Sequence, residues 1–245
     1  MFEGHGFEKQ QEIPPQPAVD FESVLEKGEI ENARQLEGSW GIDLVKIKDD
    51  GDALFRPDLM SDFIFEAKGM EARRSDLELM AYKIDQILEF NLIPAVVNRT
   101  VRNLKGSLQR RIQNFHDGYG IEWENDVKPE EITRAAVFDH ILDVRDRAPH
   151  NFIIDSSAGK IWLIDHDFYM FFWEGEYPRT FIVEKAREMG LVVLGGPDVV
   201  SLERFLAHAD SLTIGAKPEV MEIIKKARDR AEVLLEEGQI PVANI

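Results

Sequence analysis

The stretch from Val144 to Phe168 reads V-R-D-R-A-P-H-N-F-I-I-D-S-S-A-G-K-I-W-L-I-D-H-D-F. Asp146 is followed by Asn151, and two apolar runs around a Ser-Ser-Ala-Gly turn then lead to Asp165. Apolar runs that flank a glycine-containing turn are typical of a β-hairpin. A loop that feeds such a hairpin brings these three side chains together, and their oxygen atoms are ligands that Mg²⁺ accepts. The alternative is a structural hairpin in which the Asp and Asn residues only form turns.

Length and composition bound the class of protein. The chain has 245 residues, enough for one compact two-lobed domain or two small ones. A hydrophobic content of 44% is ordinary for a globular protein, and no run of about 18 apolar residues predicts a membrane-spanning helix. Residues 1–18 do not resemble a signal peptide and are predicted to form a flexible tail. Because the chain has no cysteine, disulfides, thiolate catalysis and cysteine zinc sites are excluded, and a reducing cytoplasm fits.

The formal net charge of −17 restricts the partners. A chain this acidic is expected to be repelled by nucleic acid and by anionic membrane surfaces, so lipid headgroups rank last among substrates. A nucleotide is not excluded by the charge, because Mg²⁺ neutralises much of the charge on its phosphates.

The first globular segment is predicted to consist of strands joined by turns. L-E-G-S-W-G from Leu36 to Gly41 is a glycine-containing turn, and D-D-G-D at 49–52 is a strong turn signal. Residues 44–48 between them are strand-like, and residues 53–57 form the returning strand, which carries Arg56.

A helix is predicted to follow these strands. S-D-L-E from Ser75 to Glu78 reads as a capping box, and apolar residues then recur at helical spacing as far as Leu88. Glu78 has two interpretations, because it can cap Ser75 or pair with a cation on the preceding strand. The helix is expected to end near Asn91.

The rest of the chain gives weaker signals. Residues 93–97 are predicted to be a buried strand that enters a connector at 98–103. Residues 106–115 are predicted to form a basic helix with a solvated face, and Pro129 occupies the favoured first turn of another helix. Two further amphipathic helices are predicted at 201–207 and 218–235.

Three of these segments resemble a known superfamily. D-R-x-x-x-N at 146–151 and I-D at 164–165 resemble motifs of the phosphatidylinositol 3- and 4-kinase superfamily and of the related secretory-pathway kinases. The run E-L-M-A-Y-x-x-D at 78–85 is similar to the E-x-x-A-Y/F-x-x-D helix of bacterial and secretory kinase-like proteins.

The resemblance implies a fold and an activity. The fold is an α+β, two-lobed, protein-kinase-like one, with a small N-lobe of sheet and one helix at 19–97 and a mainly helical C-lobe at 98–245. The implied activity is an ATP-dependent transfer of the γ-phosphate to a hydroxyl acceptor, with ATP and Mg²⁺ or Mn²⁺ as cofactors. The acceptor stays open, with protein or a small molecule favoured over lipid.

The resemblance also implies roles for the matching residues. Asp146 is the catalytic base that orients the acceptor hydroxyl and accepts its proton. Asn151 and Asp165 are the metal ligands. Arg56 holds phosphate and is positioned by Glu78, with which its planar fork can form two parallel hydrogen bonds.

Two loops complete the implied nucleotide site. Gly38 and Gly41 belong to a loop that covers the phosphates with backbone N–H groups, although an ordinary hairpin turn explains these two glycines better when they are taken alone. The connector at 98–103 is the expected hinge, whose backbone would bind adenine.

The sequence departs from the implied pattern in two places. Arg56 stands where those families carry Lys, and no glycine follows Asp165, since His166 and Asp167 come next. A pseudokinase that binds a nucleotide or partner without turnover, a kinase-fold nucleotidyl transferase and an acidic structural protein therefore remain as alternatives. If another cation serves the phosphates, Lys46 and Lys48 are the candidates, because alternate strand residues share one face.

Overall fold

The computed structural model describes residues 20–36, 41–48, 51–58, 69–113, 115–119, 122–144, 147–166 and 180–241. Several positions singled out by the sequence lie outside these ranges, namely the tail 1–18, Gly38, Asp146 and Asp167.

The N-terminal part is one five-stranded antiparallel sheet with two helices. In chain order its elements are α1 (Phe21–Lys27), β1 (Ile30–Gln35), β2 (Asp43–Ile47), β3 (Gly51–Pro57), α2 (Arg74–Leu88), β4 (Val96–Val101) and β5 (Leu104–Arg110). The strand order is β1-β2-β3-β5-β4. Both predicted hairpins are confirmed, because β1 pairs with β2 and β2 with β3.

The two faces of this sheet have different surroundings. Val45, Phe55 and Leu108 are buried in a small apolar core that also contains Leu25 of α1. Because side chains alternate along a strand, Arg56 of β3 points to the opposite face. Helix α2 contacts β4 and β5. The sheet therefore separates an apolar layer under α1 from a face that carries a buried cation.

Two expectations for residues 98–115 are wrong. Residues 104–110 form β5 rather than a basic helix, and this strand pairs with β3 on one side and β4 on the other. Residues 98–103 are not a connector between lobes, because Arg102 and Asn103 form the turn of the β4–β5 hairpin with φ of 48° and 67°. Positive φ at both central residues is typical of a tight hairpin.

The β4–β5 hairpin also bears on the division of the chain. The division between residues 97 and 98 falls inside β4, and the sheet continues to Arg110. We propose instead that the connection between the lobes follows Arg110.

The start of α2 differs from the predicted capping box. Asp76 accepts a hydrogen bond from the Arg73 backbone N–H at 2.9 Å. The N–H and hydroxyl of Ser75 both donate to Asp58, each at 3.0 Å. Asp58 therefore takes the place at Ser75 that the predicted capping box gives to Glu78, and the Glu78 side chain faces the preceding strand instead.

The C-terminal part is mainly helical around one small sheet. In order its elements are β6 (His116–Asp117), α3 (Pro129–Leu142), β7 (Phe152–Asp155), β8 (Lys160–Leu163), α4 (Phe181–Glu188), α5 (Gly196–His208) and α6 (Pro218–Glu237), with 3₁₀ turns at Trp123–Asp126, Pro149–Asn151 and Ala209–Thr213. The predicted helices at Pro129, 201–207 and 218–235 and the hairpin before Asp165 are confirmed.

Helix α2 joins the two parts of the molecule. It packs against α5 and contacts α6, and its apolar residues belong to the same core as α3. Glu219 of α6 accepts hydrogen bonds from the backbone N–H groups of Glu71 at 2.9 Å and Ala72 at 3.2 Å, just before α2. At the other end, Arg204 of α5 pairs with Glu89 at 2.7 Å. Both ends of α2 are thus held by C-terminal helices.

None of the helices in the described ranges has the length and apolar composition needed to cross a membrane.

Candidate active site

A buried ion pair joins strand β3 to helix α2. Nη1 of Arg56 lies 2.9 Å from Oε1 of Glu78, and the two side chains are 7% and 2% exposed. A buried charge is tolerated only when it is paired, so each residue fixes the position of the other. Of the two interpretations of Glu78, the pair with the strand cation is the one observed.

Arg56 and Glu78 do not form the two parallel hydrogen bonds expected from the sequence. Oε2 of Glu78 is buried and accepts no hydrogen bond within the described part of the chain. Oε1 instead takes a second hydrogen bond, from the backbone N–H of His166 at 3.2 Å. Glu78 therefore binds both the cation of β3 and the segment that follows β8.

Asp165 completes this group from the other side. Its Oδ1 lies 3.1 Å from Nη1 of Arg56 and 3.0 Å from Nη2 of Arg74. The backbone of Asp165 is left-handed, with φ of 64°, a conformation that non-glycine residues adopt at a cost. With its side chain 34% exposed, this carboxylate is the most open member of the group.

Arg147 orders the loop before the β7–β8 hairpin. Its guanidinium is fully buried, lies 3.2 Å from Asp139, and donates to the backbone carbonyls of Asn151 and Ile164, each at 2.7 Å. These contacts show that Arg147 holds the backbone at Asn151 next to the backbone at Ile164.

The same contacts place Asn151 beside the segment that carries Asp165. The Ile164 N–H donates to the Asn151 carbonyl at 3.1 Å, which continues the β7–β8 pairing by one residue. The Asn151 residue is buried. The structure therefore places the two predicted metal ligands at the two ends of one hairpin, since Asn151 directly precedes β7 and Asp165 follows β8, while Asp146 lies outside the described residues.

His166 directly follows Asp165 in the sequence and lies next to Arg147. It is fully buried, and its Nδ1 lies 3.2 Å from Nη2 of Arg147. Burial and the charge of Arg147 hold the pKa of His166 well below its usual value, so the imidazole is neutral.

The oxygen donors at this place suit a hard cation. Carboxylate and amide oxygens are ligands that Mg²⁺ and Mn²⁺ accept. Within the described ranges, no three His, Asp or Glu side chains are arranged so that they could hold a metal ion by themselves. A cation at Asp165 and Asn151 would therefore take further ligands from phosphate and water, as Mg²⁺ commonly does.

Two glycines belong to the sheet segments around β3, the strand that carries Arg56. Gly41 has φ of 67° and adjoins β2 at the end of the β1–β2 connection, where Leu36 donates to the Ile42 carbonyl at 2.8 Å. Gly106 of β5 lies so close to β3 that an added Cβ would be 2.1 Å from the carbonyl oxygen of Arg56. A side chain at position 106 would therefore displace the strand that carries the cation.

Comparison with solved structures finds a similar chain described as the crystal structure of the Golgi casein kinase. The match has a TM-score of 0.53 and 13% identity, and it covers 88% of this chain and 75% of that chain. The fold is kinase-like and two-lobed. At this identity the likeness shows the fold alone. Neither a comparison with protein-family profiles nor one with curated protein sequences finds a match.

The kinase-like order explains the elements around the site. In a protein kinase a strand β3 cation pairs with a Glu on the following helix, and an Asp after the catalytic hairpin holds metal. Here Arg56 of β3 pairs with Glu78 of α2, and Asp165 follows the β7–β8 hairpin.

Arg74 is the member of the site that sequence reasoning missed. It stands four residues before Glu78, a spacing that puts both side chains on one face of α2. The spacing from Glu78 is the sequence signal that could have identified Arg74. Asp165, the partner of Arg74, is distant in sequence, and only the fold brings Arg74 and Asp165 together.

Proposed function

We propose that the chain is an ATP-dependent phosphotransferase that moves the γ-phosphate to a hydroxyl acceptor. The observation that carries the proposal is the group formed by Arg56, Glu78 and Asp165, which joins β3, α2 and the end of the β7–β8 hairpin. Phosphoryl transfer depends mainly on positioning and on electrostatic stabilisation, which such a fixed set of charges supplies.

Each residue has a role in this proposal. Arg56 binds phosphate and Glu78 holds it in place. Asn151 and Asp165 would hold Mg²⁺ or Mn²⁺, which when bound neutralises phosphate charge. Asp146 orients the acceptor hydroxyl and takes its proton.

Apolar side chains beside the cation support a nucleotide as ligand. Leu44 and Leu54 lie directly opposite each other on β2 and β3, and both are partly exposed. Leu54 shares a sheet face with Arg56, because strand side chains alternate. An apolar patch next to a phosphate-binding cation suits a flat base linked to phosphates. Gly38 and Gly41 would then cover the phosphates from the β1–β2 connection.

Alternative cations are less suited to the phosphates. Lys46 pairs with Glu31 at 3.2 Å and Lys48 with Glu29 at 3.0 Å, and both lysine side chains are more than half exposed. Exposed surface pairs contribute little, and neither lysine contacts Glu78 or Asp165 in the described structure. We therefore assign phosphate binding to Arg56 rather than to Lys46 or Lys48.

The proposal extends to family and acceptor. We infer a relationship to the phosphatidylinositol 3- and 4-kinase-like and secretory-pathway kinases from D-R-x-x-x-N at 146–151 and I-D at 164–165. The net charge of −17 favours a protein or small-molecule acceptor over an anionic lipid. A cytoplasmic location is proposed because the chain has no cysteine.

Two variants test the assigned roles. Asp165→Ala is expected to abolish the Mg²⁺-dependent part of ATP binding in calorimetry, because a charged metal ligand is lost. Asp146→Ala is expected to bind ATP·Mg²⁺ like the parent but to transfer no phosphate from labelled ATP. If both variants bind ATP·Mg²⁺ as the parent does, the metal role of Asp165 is wrong.

A pseudokinase is the second candidate. The observation in its favour is that Asp165, the proposed metal ligand, contacts both Arg56 and Arg74. Mass analysis of nucleotide and acceptor after incubation separates the two candidates, because a pseudokinase binds ATP and leaves it intact.

A further inference from the structure

We propose that Arg74 is a second phosphate-binding cation. When a nucleotide and its metal ion bind, the Arg74 side chain moves away from Asp165 and binds the terminal phosphates instead. This inference rests on the proposed function and assigns a residue that the kinase-like pattern does not require.

Arg74 is built into the site from a different element than Arg56. It is the first residue of α2, and its side chain is 13% exposed. Glu78 lies one helical turn further on the same face and binds Arg56. Two guanidinium groups therefore approach Asp165 from β3 and from α2, and both contact the same oxygen, Oδ1.

The charges of this group indicate what Arg74 does. Arg56 and Arg74 carry two positive charges and Glu78 and Asp165 two negative ones, so the formal charges of these four side chains cancel. A divalent cation on Asp165 adds two positive charges next to Oδ1 and repels the nearby guanidiniums. Phosphate oxygens entering with that cation offer Arg74 a new partner, and a planar guanidinium suits phosphate through two parallel hydrogen bonds.

Arg56 is less able to move than Arg74. Its Nη1 also contacts the buried Oε1 of Glu78, and leaving that carboxylate would expose an uncompensated buried charge. Arg74 stands at a helix terminus, closer to solvent, where a side chain can change its rotamer at lower cost. We therefore assign the exchange to Arg74 and the fixed position to Arg56.

The exchange predicts two effects of opposite sign in Arg74→Ala. ATP·Mg²⁺ binding is expected to weaken about tenfold or more, the usual effect of losing one charge-assisted contact, with a smaller loss for ADP and almost none for AMP. Mn²⁺ binding without nucleotide is expected to tighten, because a cation that competes for Asp165 is gone. Arg74→Lys is expected to retain part of the ATP affinity.

Calorimetry with the three nucleotides and paramagnetic resonance titration with Mn²⁺ measure these effects on the full chain. Arg73→Ala is the matched control, since it removes the same charge one residue earlier, where Nη1 contacts the Met70 carbonyl instead. The control is expected to leave both affinities unchanged.

The outcomes separate this inference from the proposed function. A parent that does not bind ATP·Mg²⁺ overturns both. A parent that binds, with an Arg74→Ala variant within twofold of it for ATP or with Mn²⁺ binding that is not tightened, overturns the role of Arg74 alone. If Arg74 only forms a structural ion pair, Arg74→Ala would weaken the binding of both ATP·Mg²⁺ and Mn²⁺. That result would count against the exchange.

Discussion

Arg56 and Glu78 carry opposite charges in a part of the molecule that excludes water. Removing one member of such a pair leaves a charge without compensation, whereas neutralising both removes the problem. Arg56→Met is therefore expected to destabilise the protein by about 3–5 kcal/mol. Arg56→Met with Glu78→Gln is expected to recover much of that loss, because Gln keeps an acceptor for the His166 N–H.

Urea unfolding of the two variants and calorimetry with ATP·Mg²⁺ check this prediction. Stability is expected to recover in the double variant while ATP binding stays lost, since the phosphate cation is absent from both. ATP binding restored in the double variant would show that another residue holds the phosphates.

At this scale the sequence predicts pairs that follow from the order of elements. The pairing of Arg56 with Glu78 is expected from the resemblance to kinase-like proteins, in which a strand cation pairs with a Glu of the following helix. The partner of Arg74 and the partner of Arg147 could not be predicted in the same way. Asp165 and Asp139 reach them through the packing of the hairpin and of α3.

At the scale of elements, β5 holds β3 in place by close backbone contact. Gly106→Ala is expected to destabilise the protein by about 1–3 kcal/mol, as overpacking commonly does, because the new Cβ meets the Arg56 carbonyl rather than a movable side chain. ATP·Mg²⁺ affinity is expected to fall as well, because the strand that bears Arg56 must shift.

Gly196→Ala is the matched control for this change. An added Cβ there has nothing within 4 Å, and the residue begins helix α5, where alanine is favoured over glycine. The two variants are compared by urea unfolding and by calorimetry with ATP·Mg²⁺. Equal stabilities for the two variants would contradict the strand-positioning role of Gly106.

The error in β5 has a physical cause. Its sequence L-K-G-S-L-Q-R has few apolar residues, and such a polar segment next to more basic residues is typical of a solvated helix. The strand is buried because both its edges are paired and because Ser107 and Gln109 face the interior with Arg56. Pairing with distant strands decides this segment, and local sequence does not contain that information.

At the scale of the whole molecule, two buried groups set opposing dependences of stability on pH. Burial raises the pKa of Asp85 to about 6, against hydrogen bonds from the Leu92 and Ile93 N–H groups that lower it. Burial, with the charge of Arg230, lowers the pKa of His140 to about 4. Between pH 4 and 6 the native state gains stability through Asp85 and loses it through His140 as the pH falls.

Single variants are expected to separate the two contributions. Relative to the parent, His140→Gln gains stability as the pH is lowered from 6.5 to 4, by up to about 3 kcal/mol, because the unfolded state no longer takes up that proton. Asp85→Asn loses stability relative to the parent as the pH is lowered from 6 to 3.8, by a similar amount. Urea unfolding across this range measures both, and parallel curves for parent and variants would contradict the assignment.

The bonds from Glu219 to Glu71 and Ala72 carry a consequence for the order in which the protein matures during translation. A ribosome releases the sheet and α2 long before α6, yet Glu219, which holds the start of α2, follows Glu71 by 148 residues. Contacts of such long sequence separation form late. A nascent chain that has just emerged past Asp165 has every proposed ligand of the nucleotide, but the helix that carries Glu78 and Arg74 is not yet held. The protein is therefore expected to acquire its nucleotide only after α6 has been synthesised.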